Sequence, residues 1–314
     1  MKNKEFIELA RLLIKTYDEK LLNDNKELLD RVLKRFDKET IEELLFVKDN
    51  DDIKSIDDRI LKFLRDNNFD MKDISFDNVR VNNHSYLGLK NVTINIDKVV
   101  DKDISNTILS GVRLLGNLDN AVVNGTNFTG YIGKLVLNPQ KVRNKDLSIT
   151  NLDGIMIDGI FDGCDIFSTS FKNAIGGIYI NPQKIKNKDL SHVDLDGVVI
   201  VGDKGRKPSF KGCKIKETSF KGAAGIIEIN PQELEGSYIM HCNFAGVTFT
   251  GGFENLTLLG NEFRGSENAV IDLNKVRDAN IITKRVLDEV DYIPLEKKEA
   301  PKSKVLSMFK RSKI

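Results

Sequence analysis

Three histidines, three cysteines and an abundance of carboxylates are the side chains of this 314-residue chain that could do chemistry. A metal site or an activated nucleophile needs such groups gathered at short, patterned spacing. His84, His192 and His241 are isolated, without an acidic or thiol set at ligand spacing, and are read as structural or exposed. Cys164, Cys213 and Cys242 are odd in number and far apart, which argues against a disulfide framework and for a reducing cytoplasm. Asp146, Asp153, Asp158, Asp189 and Asp196 could serve general acid–base work only inside a pocket that shifts their pKa values. No GxSxG, HExxH, GxGxxG or CxxC occurs. No cofactor, metal or catalytic constellation is therefore expected.

Two basic segments are candidates for contact instead. Gly202 to Ser209 reads GDKGRKPS, which lacks the GxxxxGK[ST] spacing of a phosphate loop. It is either a partner contact, through Lys204, Arg206 and Lys207, or a tolerated insertion. Lys302 to Ile314, KSKVLSMFKRSKI, holds five basic residues, no acid and four apolar ones at roughly helical spacing. Phe309, Lys310 and Arg311 make it either a docking peptide for a partner or an anionic membrane surface, or else a solubilising end.

The elements that must carry these segments are set by periodicity. Residues 1–70 are helical: Phe6, Leu9, Leu13, Ile14, Tyr17 and Leu21 share one face. Leu28 to Phe36 repeats the pattern in a second helix, and Ile41, Leu44 and Leu45 in a third. Ser55 is the expected N-cap of a fourth, with Ile60, Leu61 and Leu64 inside. The start of the chain reads as a helix and not a signal peptide. With 15 basic and 18 acidic side chains, this segment reads as a small bundle capping the next domain.

Beyond residue 70 a long repeat takes over. NIDKVVDKDIS at 95, NPQKVRNKDLS at 138, NPQKIKNKDLS at 181 and NPQELEGSYIM at 230 lie 43, 43 and 49 residues apart. The six extra residues of the third interval fall in the GDKGRKPS insertion. Inside each unit an apolar residue recurs every fifth position, from Ile94 to Phe263, and all 32 such positions are Leu, Ile, Val or Phe. Period five fits neither an amphipathic helix nor a plain strand.

The pentads Thr126-Asn127-Phe128-Thr129-Gly130, Thr150-Asn151-Leu152-Asp153-Gly154 and Cys242-Asn243-Phe244-Ala245-Gly246 resemble the pentapeptide-repeat family. The resemblance spans roughly two thirds of the chain. It implies a mainly β fold, a right-handed quadrilateral β-helix of about ten coils over 71–282. Before it would lie the helical domain 1–70, and after it a helical cap and tail over 283–314, with Thr283 to Val290 shielding the last open edge. It also implies that the three cysteines fill the small inward slot and are buried. One edge departs from the family pattern: Gln140, Gln183 and Gln232, then Lys145 and Lys188, occupy that slot. A lysine cannot enter an apolar interior without a partner, so this edge should bulge or reorient at its repeated Asn-Pro turns. Its basic residues, Lys141, Arg143, Lys184 and Lys186 among them, are read as a solvated polar face.

Hydrophobic residues make up 40% of the chain and the net charge is +1, a balance that offers no electrostatic case for direct nucleic-acid binding. The bias toward Lys, Asn, Asp and Ile suggests a bacterial source. A non-enzymatic protein–protein interaction scaffold is the function expected, with an unidentified protein partner. The alternative comes from the family: some members mimic duplex DNA and protect or inhibit type II topoisomerases. Those are strongly acidic outside, whereas this chain carries a basic loop and tail. A continuous acidic stripe on the outer wall would favour mimicry, and a mixed wall the scaffold.

Overall fold

The computed structural model describes residues 37–48 and 53–295. The first two expected helices and the segment with Phe309, Lys310 and Arg311 lie outside the described residues. The third helix spans Lys38–Leu45; the Asp37 carboxylate caps it, accepting the Thr40 amide at 2.8 Å. Ile41, Leu44 and Leu45 are buried. The fourth spans Asp58–Asp66, but its cap is Asp57, which accepts the Arg59 and Ile60 amides at 3.0 and 3.4 Å. Ser55 is committed elsewhere, in the strand Lys54–Ile56, opposite Val47 on one side and Arg80 on the other. This small sheet joins the helices to the repeats, and the Phe46 ring meets Phe76 edge-on at 5.7 Å across the junction.

From residue 70 onward the chain is a β-rich, solenoid-like stack of very short parallel strands, each hydrogen-bonded to the corresponding segment of the next repeat. One ladder runs without a break through Ser85, Ile108, Asn127, Asn151, Ser170, Asp194, Ser219, Asn243 and Glu262. From Ile108 to Asp194 its steps are 19, 24 and 19, then 24 residues, which sum pairwise to the 43-residue repeat; the next step, 25, contains the six-residue insertion. Of the 32 fifth-position residues, 31 are buried; Leu234 is half-buried. Phe220, Phe244 and Phe263 stack on successive repeats, with ring centroids 5.9 and 5.2 Å apart.

The turns explain the polar residues of the pentads. The Asn127 carboxamide accepts the Thr129 amide at 2.9 Å, Asn151 that of Asp153 at 3.0 Å and Asn243 that of Ala245 at 3.0 Å. Each closes a bend by local side-chain capture of the backbone. Two residues before each rung of this ladder the chain passes through a left-handed conformation. Asn83, Asn106, Gly125 and Gly260 suit it, while Ile149, at φ +59 and exposed, does not. Inside, small side chains bind carbonyls of the preceding repeat: Thr126 donates to Ile104 at 2.7 Å, Thr169 to Leu147 at 2.7 Å, Thr218 to Leu190 at 2.8 Å. Val193 interrupts this hydroxyl ladder.

The last repeats end on a short helix and one further strand. The helix Lys284–Leu287 buries Val286, and the Glu289 carboxylate accepts the Phe263 amide at 2.8 Å, standing in for the carbonyl of a further rung. The chain then returns as the strand Asp291–Ile293, parallel to Val270–Asp272. Thr283 to Val290 thus covers the Phe263 rung through Val286 and Glu289 and then carries the chain to one more rung on the neighbouring ladder, whose three residues are exposed.

Candidate interaction face

The residues read as chemically promising are mostly spoken for. Cys164, Cys213 and Cys242 are free and buried, and burial pushes their thiols up to about 11, 12 and 11. Cys242 donates to the Ile215 carbonyl at 2.6 Å, taking the place of a threonine in the ladder. Two histidines do have acidic neighbours, contrary to their isolation in sequence. The His84 Nδ1 lies 2.7 Å from the Asp58 carboxylate and the His192 Nδ1 lies 3.0 Å from that of Glu217. Both pairs join residues of adjacent elements 25 or 26 positions apart, beyond the reach of local spacing. Among the described residues no group of three or more His, Cys, Asp and Glu could hold a metal ion, and no helix is long and apolar enough to cross a membrane.

The Asn-Pro-Gln edge does reorient. Asn138, Asn181 and Asn230 each accept the glutamine amide two residues on. Gln140 then acts as a staple, its Nε2 donating to the Ile160 and Asp162 carbonyls at 2.9 Å each. Its Oε1 accepts the Lys145 ammonium at 2.6 Å, which supplies the partner that a lysine in this position needs. Gln183 and Gln232 bridge the carbonyls of Ser209 and Lys211, and of Gly252 and Glu254. Asn144 and Lys145 take left-handed backbone angles, so the ammonium leaves the apolar interior. Arg143 donates to the Asn120 and Asp101 carbonyls, and three lysines of this edge are neutralised locally. Lys141 pairs with Asp119 at 3.0 Å, Lys186 with Asp165 at 3.0 Å, and Lys184 with Asp203 at 2.9 Å and Asp162 at 3.4 Å.

The insertion is a compact loop. Gly202 leaves room for the Arg206 carbonyl, which a Cβ would meet at 2.1 Å. Lys204 is exposed at φ +48, Arg206 is exposed beside it, and Lys207 reaches across to Glu228 at 2.6 Å. Lys204 and Arg206 project cationic groups from the wall, whereas Lys207 is held in an ion pair.

A second outward ladder has a composition that periodicity alone does not reveal. Its rungs are Thr93 and Arg113, then Val136 and Met156, then Tyr179 and Val199, then Glu228 and Thr248. Each occupies the slot just before a buried fifth-position residue, the slot that holds Asn127, Asn151, Asp194 or Asn243 on the other ladder. In the middle repeats this slot is apolar and open to solvent: Met156 is 46% exposed and Tyr179 49%. Ile132 and Ile175 extend the stripe, bridged to Arg113 and Met156 respectively, and Ile226 adds to it beside Ala224, which bridges Val199. Gly133, Gly176 and Gly225 make this possible. At φ +151, +109 and +104 they pack against the carbonyls of Leu114, Ile157 and Ile200, where a Cβ would lie within 2.9 Å. The chain thereby bulges after Ile132, Ile175 and Ala224, which face outward, and Ile226, on the far side of its glycine, is exposed beside them. Two signals were present in the sequence: glycines 43 and 49 residues apart, and apolar residues at slots where the pentad calls for polar ones.

No family model matches this chain, and neither does any curated protein. Among solved structures it is similar to HetL, a pentapeptide repeat protein involved in heterocyst differentiation regulation from the cyanobacterium Nostoc sp. strain PCC 7120. That match has 13% identity over 63% of this chain and 80% of that one, with a TM-score of 0.15. It is also similar to QnrB1, a plasmid-mediated fluoroquinolone resistance protein. A trypsin-treated form matches at 14% identity over 62% of this chain and 88% of that one, with a TM-score of 0.17. The full-length form matches at 15% identity over 68% and 86%, with a TM-score of 0.13. Likenesses with TM-scores this low carry no weight for function.

Proposed function

We propose that this chain is a non-enzymatic protein-interaction scaffold. Its wall, residues 71–282, is a pentapeptide-repeat β-helix, right-handed and quadrilateral with about ten coils. Residues 1–70 form the helical cap and 283–314 the terminal cap and tail. The observation that carries this reading is the exposed apolar stripe from Ile132 to Ile226, where apolar side chains adjoin one another on successive rungs instead of standing singly like Leu87, Ile149 and Tyr238. An exposed, contiguous apolar patch on a rigid surface marks a binding site more often than chance. Lys204 and Arg206 at one side of the wall are secondary contact points for that partner. Three buried, unpaired thiols fit a reducing, cytoplasmic compartment. DNA mimicry is the weaker reading, because the unbroken ladder from Ser85 to Glu262 is mostly uncharged, and the ladder with Asp103, Asp146, Asp165 and Asp189 is interrupted by Val122 and Lys214, with Lys186 paired to Asp165.

The test uses the full chain and its Met156→Lys/Tyr179→Asp variant as baits of equal melting temperature. The scaffold reading expects a protein partner retained by the first and reduced at least ten-fold with the second. A variant that keeps every partner would remove the stripe from the binding surface. Altered supercoiling activity of a type II topoisomerase by both baits would promote mimicry.

A further inference from the structure

The apolar stripe and the last rung of the stack belong to the same side of the solenoid. Asp291 pairs with Val270; Glu267, in the same segment as Val270, pairs with Thr248, and Thr248 with Glu228. Ala224, in the segment of Glu228, pairs with Val199, and Val199 with Tyr179. The last described residue, Leu295, thus leaves the stack five rungs from Tyr179, about 24 Å at the usual strand spacing. Val305 is ten residue steps beyond Leu295, enough to span about 33 Å when extended. Val305, Leu306, Met308 and Phe309 therefore fall within reach of the stripe with chain to spare.

The match is one of apolar surface. Asp153, Asp158 and Asp196 lie within three residues of Met156 and Val199, and Arg113, Lys134 and Lys172 lie equally close to Ile132, Val136 and Ile175, so the stripe has mixed charge along its edges. The segment Lys302 to Ile314 offers Val305, Leu306, Met308 and Phe309 to the apolar stripe and its five basic residues to the three carboxylates.

We propose that residues 302–314 dock in cis on the stripe, with Phe309 against Met156, Ile175 and Tyr179, and so compete with any partner for the same face. The inference rests on the wall being a binding face, and it makes the tail an occupant that a partner must displace. Removing Lys302 to Ile314 then increases partner capture instead of abolishing it.

The decisive experiment places a photoreactive p-benzoyl-phenylalanine at Phe309 in the full chain and maps the cross-links after irradiation. Mixing isotope-labelled and unlabelled chains separates links within one chain from links between two. The expected result is intrachain capture on residues of the Ile132-to-Ile226 stripe, falling at least ten-fold in the Met156→Lys/Tyr179→Asp variant, whose folding is checked by its melting temperature. Capture only between chains would make a second copy the occupant and overturn the proposal. Capture on another face, an unchanged yield in the variant, or no capture at all would also overturn it. Loss of partner binding by the wall variant, together with a failed cross-link, would sink the cis contact alone and leave the scaffold reading standing. A cross-link on the stripe with partner binding unaffected would do the reverse.

Discussion

Two ladders climb this solenoid on the same kind of slot, one residue before a buried Leu, Ile or Phe, yet they differ in chemistry. On the ladder through Asn127, Asn151, Asp194 and Asn243 the slot is polar because the backbone bends directly after it. The side chain closes that bend by accepting the amide two residues on. On the ladder through Val136, Met156, Tyr179 and Val199 the closing Asx residue comes later, at Asn138 and Asn181, so the slot has no backbone duty. The first ladder's composition is therefore dictated by folding, whereas the second's is free, and in the middle repeats it is apolar without a structural need. That contrast separates the side chains that close the bends of the stack from those that have no such duty.

The separation can be broken at several depths. The largest effect is expected inside: Phe220→Ala removes a fully buried ring packed on Phe210 and Phe244, and should cost about 3–5 kcal/mol in urea unfolding. The buried thiols set an alkaline limit. Folding raises their pKa values to about 11–12 from 9.0, so the folded state holds these protons more tightly than the unfolded chain does. Stability is undiminished by them below pH 9 and falls as the pH rises through their folded values. Melting curves should show this loss, and Cys213→Ala should blunt it.

At the Asn-Pro-Gln edge, Gln140→Ala leaves the Ile160 carbonyl without its donor and the Lys145 ammonium with only the Asp162 carbonyl at 3.5 Å, an expected cost of about 1–3 kcal/mol by denaturant titration. Ile149→Asn should act in the opposite sense. It relieves a β-branched residue held at φ +59 and should stabilise by about 1 kcal/mol. The smallest effect is expected on the second ladder, where Met156→Lys and Tyr179→Asp should each change stability by less than about 0.5 kcal/mol.

Much of the inward architecture was legible from sequence. The five-residue apolar period marks side chains whose burial the fold requires, and only Leu234 among them escapes full burial. The cysteines were placeable for the same reason, as small residues two positions before a buried one. The Asn-Pro edge was recognisable as irregular, but its glutamine staples were not, because their carbonyl partners lie 20–28 residues ahead. The histidine–carboxylate pairs were hidden likewise, since stacking joins residues that no local motif relates. Ser55 was misread as a cap because a capping pattern does not show that the residue is already engaged in a sheet. The apolar stripe was missed for a different reason: Val136, Met156 and Tyr179 adjoin the fifth-position residues and merge with the core signal, and only the alternation of the rung turns them outward.

The central claim, that the second ladder is dispensable for folding, is tested most directly by replacing Ile132, Met156, Ile175 and Tyr179 together with threonine and measuring urea unfolding of the full chain. The expected result is a single cooperative transition, with a loss smaller than that of Phe220→Ala alone. A loss exceeding that of Phe220→Ala, or a transition split in two, would show that the stripe is part of what holds the solenoid together and would contradict its assignment as a binding face.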